Sequence, residues 1–169
     1  MLADLPTVTG FALDPMATVD TEIAKIDPWL WSYDCVIASD STMARRVLDE
    51  MLAQLEAQNW PQRDIFAVHL AAEEALANAI QHGNGCDARK NVRFVCLLGS
   101  DRIRIEITDE GRGFDPTALP DPTCDDHLHA PRGRGVMLMR AFMSRVTFNA
   151  CGNGVIMEKD RAQREDCWK

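Results

Sequence analysis

The feature that most constrains the fold is a pair of alternating segments near the middle of the chain. Apolar and polar residues alternate from Ile103 to Thr108 and again along Val92–Leu98. This period of two is typical of strands that are buried on one side only. Gly99–Asp101 predicts the turn that joins the two strands into a hairpin. One face of the hairpin is apolar, so other elements of the chain must cover it.

Two helical patterns precede the hairpin. Asp40 or Ser41 can cap a helix that runs to about Gln58, because their side-chain oxygens accept the free amide hydrogens of the first turn. Pro61 suits the first turn of a second helix, which runs to about His82 and ends before a glycine-rich turn. Both segments place their apolar residues along one side of the helix.

Short apolar segments complete the pattern. Cys35–Ala38 predicts a first strand, Gly135–Met143 a third helix, and Val146–Phe148 with Val155–Met157 a final hairpin. The order β, α, α, β, β, loop, α, β, β predicts an α/β (α+β) two-layer sandwich. In this fold a mixed, mostly antiparallel sheet carries helices on one face and polar side chains on the other. The loop from Asp115 to Arg132 is long, and such loops in compact domains are usually functional or disordered.

Length and composition predict one domain with short flanking segments. The 169 residues are 46% hydrophobic and 26% charged, as in an ordinary globular protein. Residues 1–33 mix turn formers with Trp29 and Trp31 and predict an N-terminal extension, whose tryptophans pack on the domain or on a partner. Residues 34–160 are expected to form the domain, and residues 161–169 a polar C-terminal tail.

Charge and composition argue against several classes of function. The formal net charge of −8 disfavours a nucleic-acid binder, whose binding face is usually basic. The first twenty residues lack the basic start and apolar core of a signal peptide, and no stretch approaches the roughly 20 apolar residues of a membrane helix. The six cysteines show no close pair with metal-ligand spacing. We therefore expect a reduced, cytoplasmic protein without direct contact with nucleic acid or membrane.

The second predicted helix carries a line of polar residues. Glu74, Asn78 and His82 are spaced four apart and lie nearly above one another. Mg²⁺ prefers hard oxygen ligands and keeps several waters, so the Asn78 carboxamide oxygen and phosphate oxygens together suit it. Glu74, one turn away, is placed to take a proton from an attacking hydroxyl. A solvated helix face explains the same residues about equally well.

A second polar segment, Asp109–Gly113, ends the alternating strand. The Asp109 carboxylate can accept a hydrogen bond from an exocyclic amine such as that of adenine. Gly111 and Gly113 let the backbone approach a flat ring and adopt positive φ. Taken alone, this stretch is also a common turn sequence.

A third segment, Gly133–Gly135, lies directly before the third helix. Unpaired amide hydrogens and the positive end of the helix dipole attract phosphates, and Arg134 can add charge-assisted bonds to the outer ones. Capping of a helix start explains this segment equally well. The three segments together are stronger evidence than any one, because each lies in the context that its role needs. The long loop falls where a lid over a nucleotide would have to be.

The chain resembles the ATP-binding domain shared by gyrase, heat-shock chaperones, histidine kinases and mismatch-repair ATPases, the GHKL superfamily. Within it, the chain most resembles the small anti-sigma-factor serine kinases of bacteria, the RsbW and SpoIIAB type. The resemblance covers about Tyr33–Lys159. It rests on three motifs, which are Glu74-x-x-x-Asn78-Ala-Ile-x-His82-Gly83-Asn84, Asp109-x-Gly111-x-Gly113-Phe114-Asp115-Pro116 and Gly133-Arg134-Gly135-Val-x-Leu-Met139-Arg140-x-x-Met143.

The resemblance implies a role for each motif residue. Asn78 would hold Mg²⁺, Asp109 the adenine amine, and Glu74 would be the general base that activates a serine hydroxyl on a partner protein. Arg134 would contact the γ-phosphate, and His82 is counted with the residues that bind the cofactor. The backbone bends around ATP would fall at four glycines: Gly111, Gly113, Gly133 and Gly135.

The resemblance also implies partners. Such kinases phosphorylate a small anti-anti-sigma protein of the STAS fold and sequester a sigma factor, usually as a homodimer. One departure is Ser144, where family members commonly carry Asp after the Met of the last helix. We therefore predict an ATP-dependent serine/threonine-protein kinase of this type. The alternatives are a nucleotide-responsive binding module without catalysis and a degenerate domain that no longer binds nucleotide.

Overall fold

The computed structural model describes residues 29–115 and 134–162. The predicted order of elements is confirmed. The helices and strands are β1 (Trp31–Ala38), α1 (Ser41–Ala57), α2 (Gln62–Asn78), β2 (Asn91–Leu98), β3 (Arg102–Asp109), α3 (Arg134–Phe142), β4 (Arg145–Phe148) and β5 (Gly154–Asp160). A π-helical turn, Ala79–Gly83, continues α2. Gly133, the predicted lid, most of the predicted N-terminal extension and most of the predicted tail lie outside the described residues.

The five strands form one sheet in the order β1-β2-β3-β5-β4, and all four pairings are antiparallel. The predicted α/β two-layer fold is confirmed. The predicted hairpin forms its centre: Cys96 lies opposite Ile105, and the Gly99 N–H donates to the Arg102 carbonyl oxygen at 2.8 Å across the turn. Because β3 is the central strand, the residues that follow it lie at the middle of one end of the sheet.

The helices cover the apolar face of the sheet. Fully buried side chains come from all three helices and from β2, β3 and β5: Met51, Leu55, Val68, Leu76, Met139, Val92, Phe94, Leu98, Ile103, Ile105, Ile107 and Met157. Burial of each large apolar side chain contributes about 1.5–3 kcal/mol to folding. This core holds α2 and α3 against β3 and β5 and so fixes the places at which their ends meet.

The other face of the sheet carries charged side chains, as predicted. Glu158 accepts hydrogen bonds from Arg104 and Arg145 at 2.9 and 2.6 Å, and Arg93 pairs with Asp34 at 2.7 Å. Pairs that solvent reaches each contribute about 0–1 kcal/mol, and these range from partly buried to exposed. They mark the outer face of the sheet but do little to hold it together.

The first strand begins earlier than predicted. β1 starts at Trp31, four residues before the predicted start at Cys35, so it takes in the last three residues assigned to the extension. The rings of Trp31 and Tyr33 stack with centroids 5.6 Å apart, and the Trp29 ring lies 5.1 Å from the Arg102 guanidinium. Both tryptophans therefore pack on the domain, which was one of the two predicted alternatives.

The second helix also ends differently from the prediction. Its α-helical part stops at Asn78, and the last predicted turn is π-helical, with the Asn84 N–H donating to the Ala79 carbonyl oxygen at 2.8 Å. Single π-turns within helices occur frequently at functional sites. In the described parts of the chain, each helix is too short or too polar to cross a membrane.

Candidate functional site

Glu74 and Asn78 on α2 face the first turn of α3. Both side chains are half-buried, whereas the neighbouring Glu73 is exposed. A Cβ atom on Gly135 would lie 2.8 Å from Glu74 Oε2 and 3.0 Å from Asn78 Nδ2. A side chain at residue 135 would push the Glu74 carboxylate aside, so glycine lets both polar groups lie against the backbone of α3. The structure thus brings together one residue of the third predicted segment and two of the first.

The two helices are tied together at their other ends as well. The rings of Phe66 on α2 and Phe142 on α3 meet edge to face with centroids 6.1 Å apart. Lys159 Nζ donates to the Phe142 carbonyl oxygen at 2.9 Å and lies 3.9 Å from the buried Asp64 carboxylate. The end of α3 is therefore anchored to the start of α2, and this anchoring sets how the start of α3 meets Glu74.

Within the third segment, Gly133–Gly135, the structure describes the contacts of Gly135. Arg134 is the first residue of α3, and its side chain, like Gly133, lies outside what the structure describes. Gly135 therefore supplies the described contact between this segment and the rest of the site.

Asp109 ends β3 beside the π-turn. A Cβ atom on Gly83 would overlap the Asp109 carboxylate, and one on Gly111 would overlap the Gly83 carbonyl oxygen and lie 2.6 Å from Asp109 Oδ1. The Gly111 N–H donates to that same oxygen at 2.7 Å. The carboxylate and the two backbones therefore pack with no room for a further atom, and this packing requires both glycines.

The Asp109 carboxylate is half-buried, and Gly111 donates a hydrogen bond to one of its two oxygens. Burial raises the pKa of this carboxyl group, although the Gly111 N–H and the nearby Lys90 act in the opposite direction. Oδ1 is held by Gly111, whereas Oδ2 accepts no hydrogen bond from any other residue that the structure describes. A carboxylate oxygen that receives no bond from another described residue is suited to an N–H group of a ligand.

The two clusters lie along one helical segment. Asn78 is the last residue of α2 and Gly83 the last of the π-turn, so they are five positions apart, roughly 7 Å along a helical axis. His82, between them, is exposed. The structure therefore places the Glu74–Asn78 pair and the Asp109 carboxylate next to one continuous element.

The segment that follows Asp109 crosses the turn between β4 and β5. Gly113 has a φ of +70°, and a Cβ atom on it would overlap the Cys151 carbonyl oxygen. Gly152, with a φ of +71°, meets the Phe114 carbonyl oxygen in the same way. The Phe114 ring packs edge to face on Phe148 with centroids 5.3 Å apart. Two glycines thus allow a backbone-to-backbone crossing that anchors the chain before residue 116.

Two asparagines that were not predicted as site residues hold the Asp109 segment in place. Asn84 is 3% exposed and accepts the Glu110 N–H at 2.9 Å. Asn153 Nδ2 donates to the Asp109 carbonyl oxygen at 2.8 Å. Both occur next to glycines in turn sequences, where exposed polar residues are common. That context concealed their role, because only the folded structure shows their partners.

Replacement of Asp109 by Asn tests whether the ionised carboxylate lowers the stability of the folded protein. A carboxyl group whose pKa is raised on folding destabilises the folded state when it is ionised. Its unfavourable contribution is absent at low pH and develops as the pH rises from the unfolded-state pKa to the folded-state pKa. We expect Asp109→Asn to have an equal or higher unfolding midpoint at pH 7, with the difference vanishing near pH 3. Calorimetry of both proteins at the two pH values measures this, and a variant clearly less stable at pH 7 would contradict it.

Comparisons with known proteins agree with this geometry. A family described as "Histidine kinase-like ATPase domain" matches residues 37–159. The serine/threonine-protein kinase BtrW of Bordetella bronchiseptica is 29% identical over 91 residues, which are 53% of this chain and 64% of that protein. The RsbU and RsbW domains of Rv1364c from Mycobacterium tuberculosis superpose with a TM-score of 0.53 at 17% identity, over 77% of this chain and 32% of theirs. The chain thus spans less than two thirds of either protein. The family match confirms the predicted resemblance to histidine kinase-like ATPase domains, and the neighbour with an RsbW domain shares the fold.

Proposed function

The chain belongs to the histidine kinase-like ATPase domain family, and from this premise we propose that it binds ATP and phosphorylates a serine or threonine of a partner protein. The observation that carries the proposal is the meeting of Glu74 and Asn78 with the start of α3 at Gly135. A carboxylate and a carboxamide there adjoin the end of a helix, where phosphates are attracted. The name of BtrW, a serine/threonine-protein kinase, supports the same activity.

The adenine ring would be read by Asp109. Its side chain is half-buried, and Oδ2 accepts no hydrogen bond from another described residue, while Gly111 holds Oδ1. An adenine 6-amino group is a donor of the required kind. Gly83 and Gly111 leave the space that the Asp109 carboxylate fills, and this packing holds the carboxylate in place for the amine.

The phosphates would lie at the start of α3. Asn78 is suited to Mg²⁺ because its Oδ1 would lie 3.6 Å from a Cβ atom on Gly135, next to that helix end, and the remaining ligands would be phosphate and water oxygens. When bound, the ion neutralises phosphate charge. Gly133 and Gly135 would place no side chain over the phosphates, and Arg134 would contact the γ-phosphate. His82, which is exposed in the π-turn, would also contact the nucleotide.

Glu74 would act as the general base. The hydroxyl oxygen of the acceptor attacks the γ-phosphorus, the bond to the β–γ bridging oxygen breaks, and ADP leaves. The hydroxyl proton passes to a carboxylate oxygen of Glu74. Phosphoryl transfer depends mainly on positioning and electrostatics, and the contact at Gly135 holds this carboxylate beside the helix end that would receive the phosphates.

We propose that the acceptor is a STAS-domain anti-anti-sigma protein and that the chain also holds a sigma factor. The motif resemblance to anti-sigma-factor serine kinases implies this class of partner, and the structural neighbour, which contains an RsbW domain, shares the fold. The net charge of −8 complements a basic protein surface.

Nucleotide binding and phosphoryl transfer test the proposal separately. We expect Mg²⁺-ATP to raise the unfolding midpoint, since a ligand at 100 times its Kd stabilises the folded state by about 2.7 kcal/mol. We also expect labelled γ-phosphate to appear on serine or threonine of a STAS-domain protein from the same genome. Binding without transfer to any such protein would replace the kinase by a nucleotide-responsive binding module. Absence of binding would leave a degenerate domain.

A further inference from the structure

Asn84 connects three segments that surround Asp109. Its side chain is almost fully buried, and both of its polar groups are used. Nδ2 donates to the Asn91 carbonyl oxygen at 2.9 Å, and Oδ1 accepts the Glu110 N–H at 2.9 Å. The Glu110 carboxylate in turn accepts the Asn91 N–H at 3.0 Å. The end of the π-turn, the start of β2 and the end of β3 are thereby linked in one closed set of bonds.

These bonds fix the peptide unit that follows Asp109. The N–H of this unit belongs to Glu110 and is held by Asn84, while its carbonyl oxygen belongs to Asp109 and is held by Asn153 Nδ2 at 2.8 Å. A peptide unit held at both polar groups cannot rotate about its neighbouring bonds without breaking one of them. The direction in which the Asp109 side chain leaves the backbone is therefore set by two asparagines.

Asn84 also sets the distance between the carboxylate and the helix. It directly follows Gly83, whose Cα packs against the Asp109 carboxylate. When Asn84 is removed, the partly buried Glu110 N–H loses its partner, and the π-turn is free to separate from β3. A carboxylate displaced by about 1 Å would exceed hydrogen-bonding distance from a ligand that does not follow it.

We infer that Asn84 is a positioning residue that determines the preference of the site for adenine over purines without a 6-amino group. It acts through Asp109 and does not touch the ligand. This inference rests on the proposed function, because it takes the adenine amine as the partner of Asp109.

Two nucleotides that differ only in the 6-amino group measure this preference. The dissociation constants of ATP and purine riboside triphosphate are determined by calorimetry with Mg²⁺, and their ratio isolates the bond to the amine. We expect the native protein to favour ATP by about tenfold or more, as for a hydrogen bond to a charged group. Asn84→Ala should lower this ratio to that of Asp109→Ala. In the Asp109→Ala background, Asn84→Ala should change the ratio no further.

Two further variants separate positioning from general loss of stability. Val47 is 2% exposed in α1, which is not part of the site, so Val47→Ala should lower the unfolding midpoint and leave the ratio unchanged. Asn153→Ala removes the other bond to the same peptide unit from a less buried residue. It should also lower the ratio, and it provides the measurement if Asn84→Ala does not fold.

The outcomes distinguish this inference from the proposed function. A ratio that stays at the native value in both asparagine variants, or that falls equally in Val47→Ala, overturns the positioning role alone. Native protein that binds ATP without preference overturns both the assignment of adenine to Asp109 and this inference. Native protein that binds neither nucleotide overturns the proposed function and the inference with it.

Discussion

Replacement of Glu74 by Gln should lower the rate of phosphoryl transfer by about 10²–10⁴-fold, the usual contribution of a general base. Gln has the same shape and can keep the contact at Gly135, where Glu74 Oε2 lies 2.8 Å from the position of a Cβ atom. It cannot take up the proton of the acceptor hydroxyl. ATP binding should therefore change little, because the carboxylate acts on the acceptor and not on the nucleotide.

The neighbouring residue supplies a matched control. Glu73 lies on the same helix and is exposed, so Glu73→Gln makes the same change of charge away from the site and should transfer phosphate at the native rate. Transfer is measured at saturating ATP and acceptor, and ATP affinity by calorimetry. Undiminished transfer by Glu74→Gln would remove Glu74 as the base. Parallel losses of transfer and affinity would instead assign it to nucleotide binding.

The layers of the fold could be predicted because the core leaves a local pattern in the sequence. The alternation around Ile105 and the helical spacing of buried residues record which side of each element faces the core. The π-turn left no such pattern. It brings Gly83 against Gly111, a contact between residues far apart in the sequence, so local periodicity predicted an ordinary helical turn up to His82. The start of β1 at Trp31 was missed although Trp31 and Tyr33 alternate with polar residues, because surrounding turn formers suggested an extension.

In the candidate site, too, local positions could be predicted, whereas contacts between distant segments could not. Spacing alone places Glu74 and Asn78 on one face of a helix, and the end of an alternating strand locates Asp109. That Gly135 meets the first pair follows from the packing of α3 on α2, which motif order suggests but cannot establish. Asn84 ends the first motif, but its role was not predicted, since that role depends on a bond to Glu110 across the fold. The predicted lid and Gly133 lie beyond the described residues and stay predictions.

Gly113→Ala and Gly85→Ala together should show how firmly the segment after Asp109 is anchored. Their φ angles are +70° and +65°, so both substitutions force alanine into the left-handed region at a similar cost of about 1–2 kcal/mol. Around Gly85 the space for a Cβ atom is open within 4 Å, whereas at Gly113 it is filled by the Cys151 carbonyl oxygen. We expect Gly113→Ala to lower the free energy of unfolding by about 2 kcal/mol more than Gly85→Ala, since the β4–β5 turn must move.

The same displacement should reach the nucleotide. Asn153 belongs to the turn that Gly113 crosses and holds the Asp109 carbonyl oxygen, so a shift of this turn moves the carboxylate proposed to bind adenine. ATP affinity should therefore fall by tenfold or more in Gly113→Ala, about the loss of one charge-assisted hydrogen bond, and stay near native in Gly85→Ala. Urea unfolding and calorimetric titration measure the two effects. Equal stability of the two variants would mean that the backbone contact between Gly113 and Cys151 shifts at little cost when a methyl group is added. In that case Asn84 and the π-turn, and not the contacts at Gly113 and Gly152, would have to hold the Asp109 carboxylate in place.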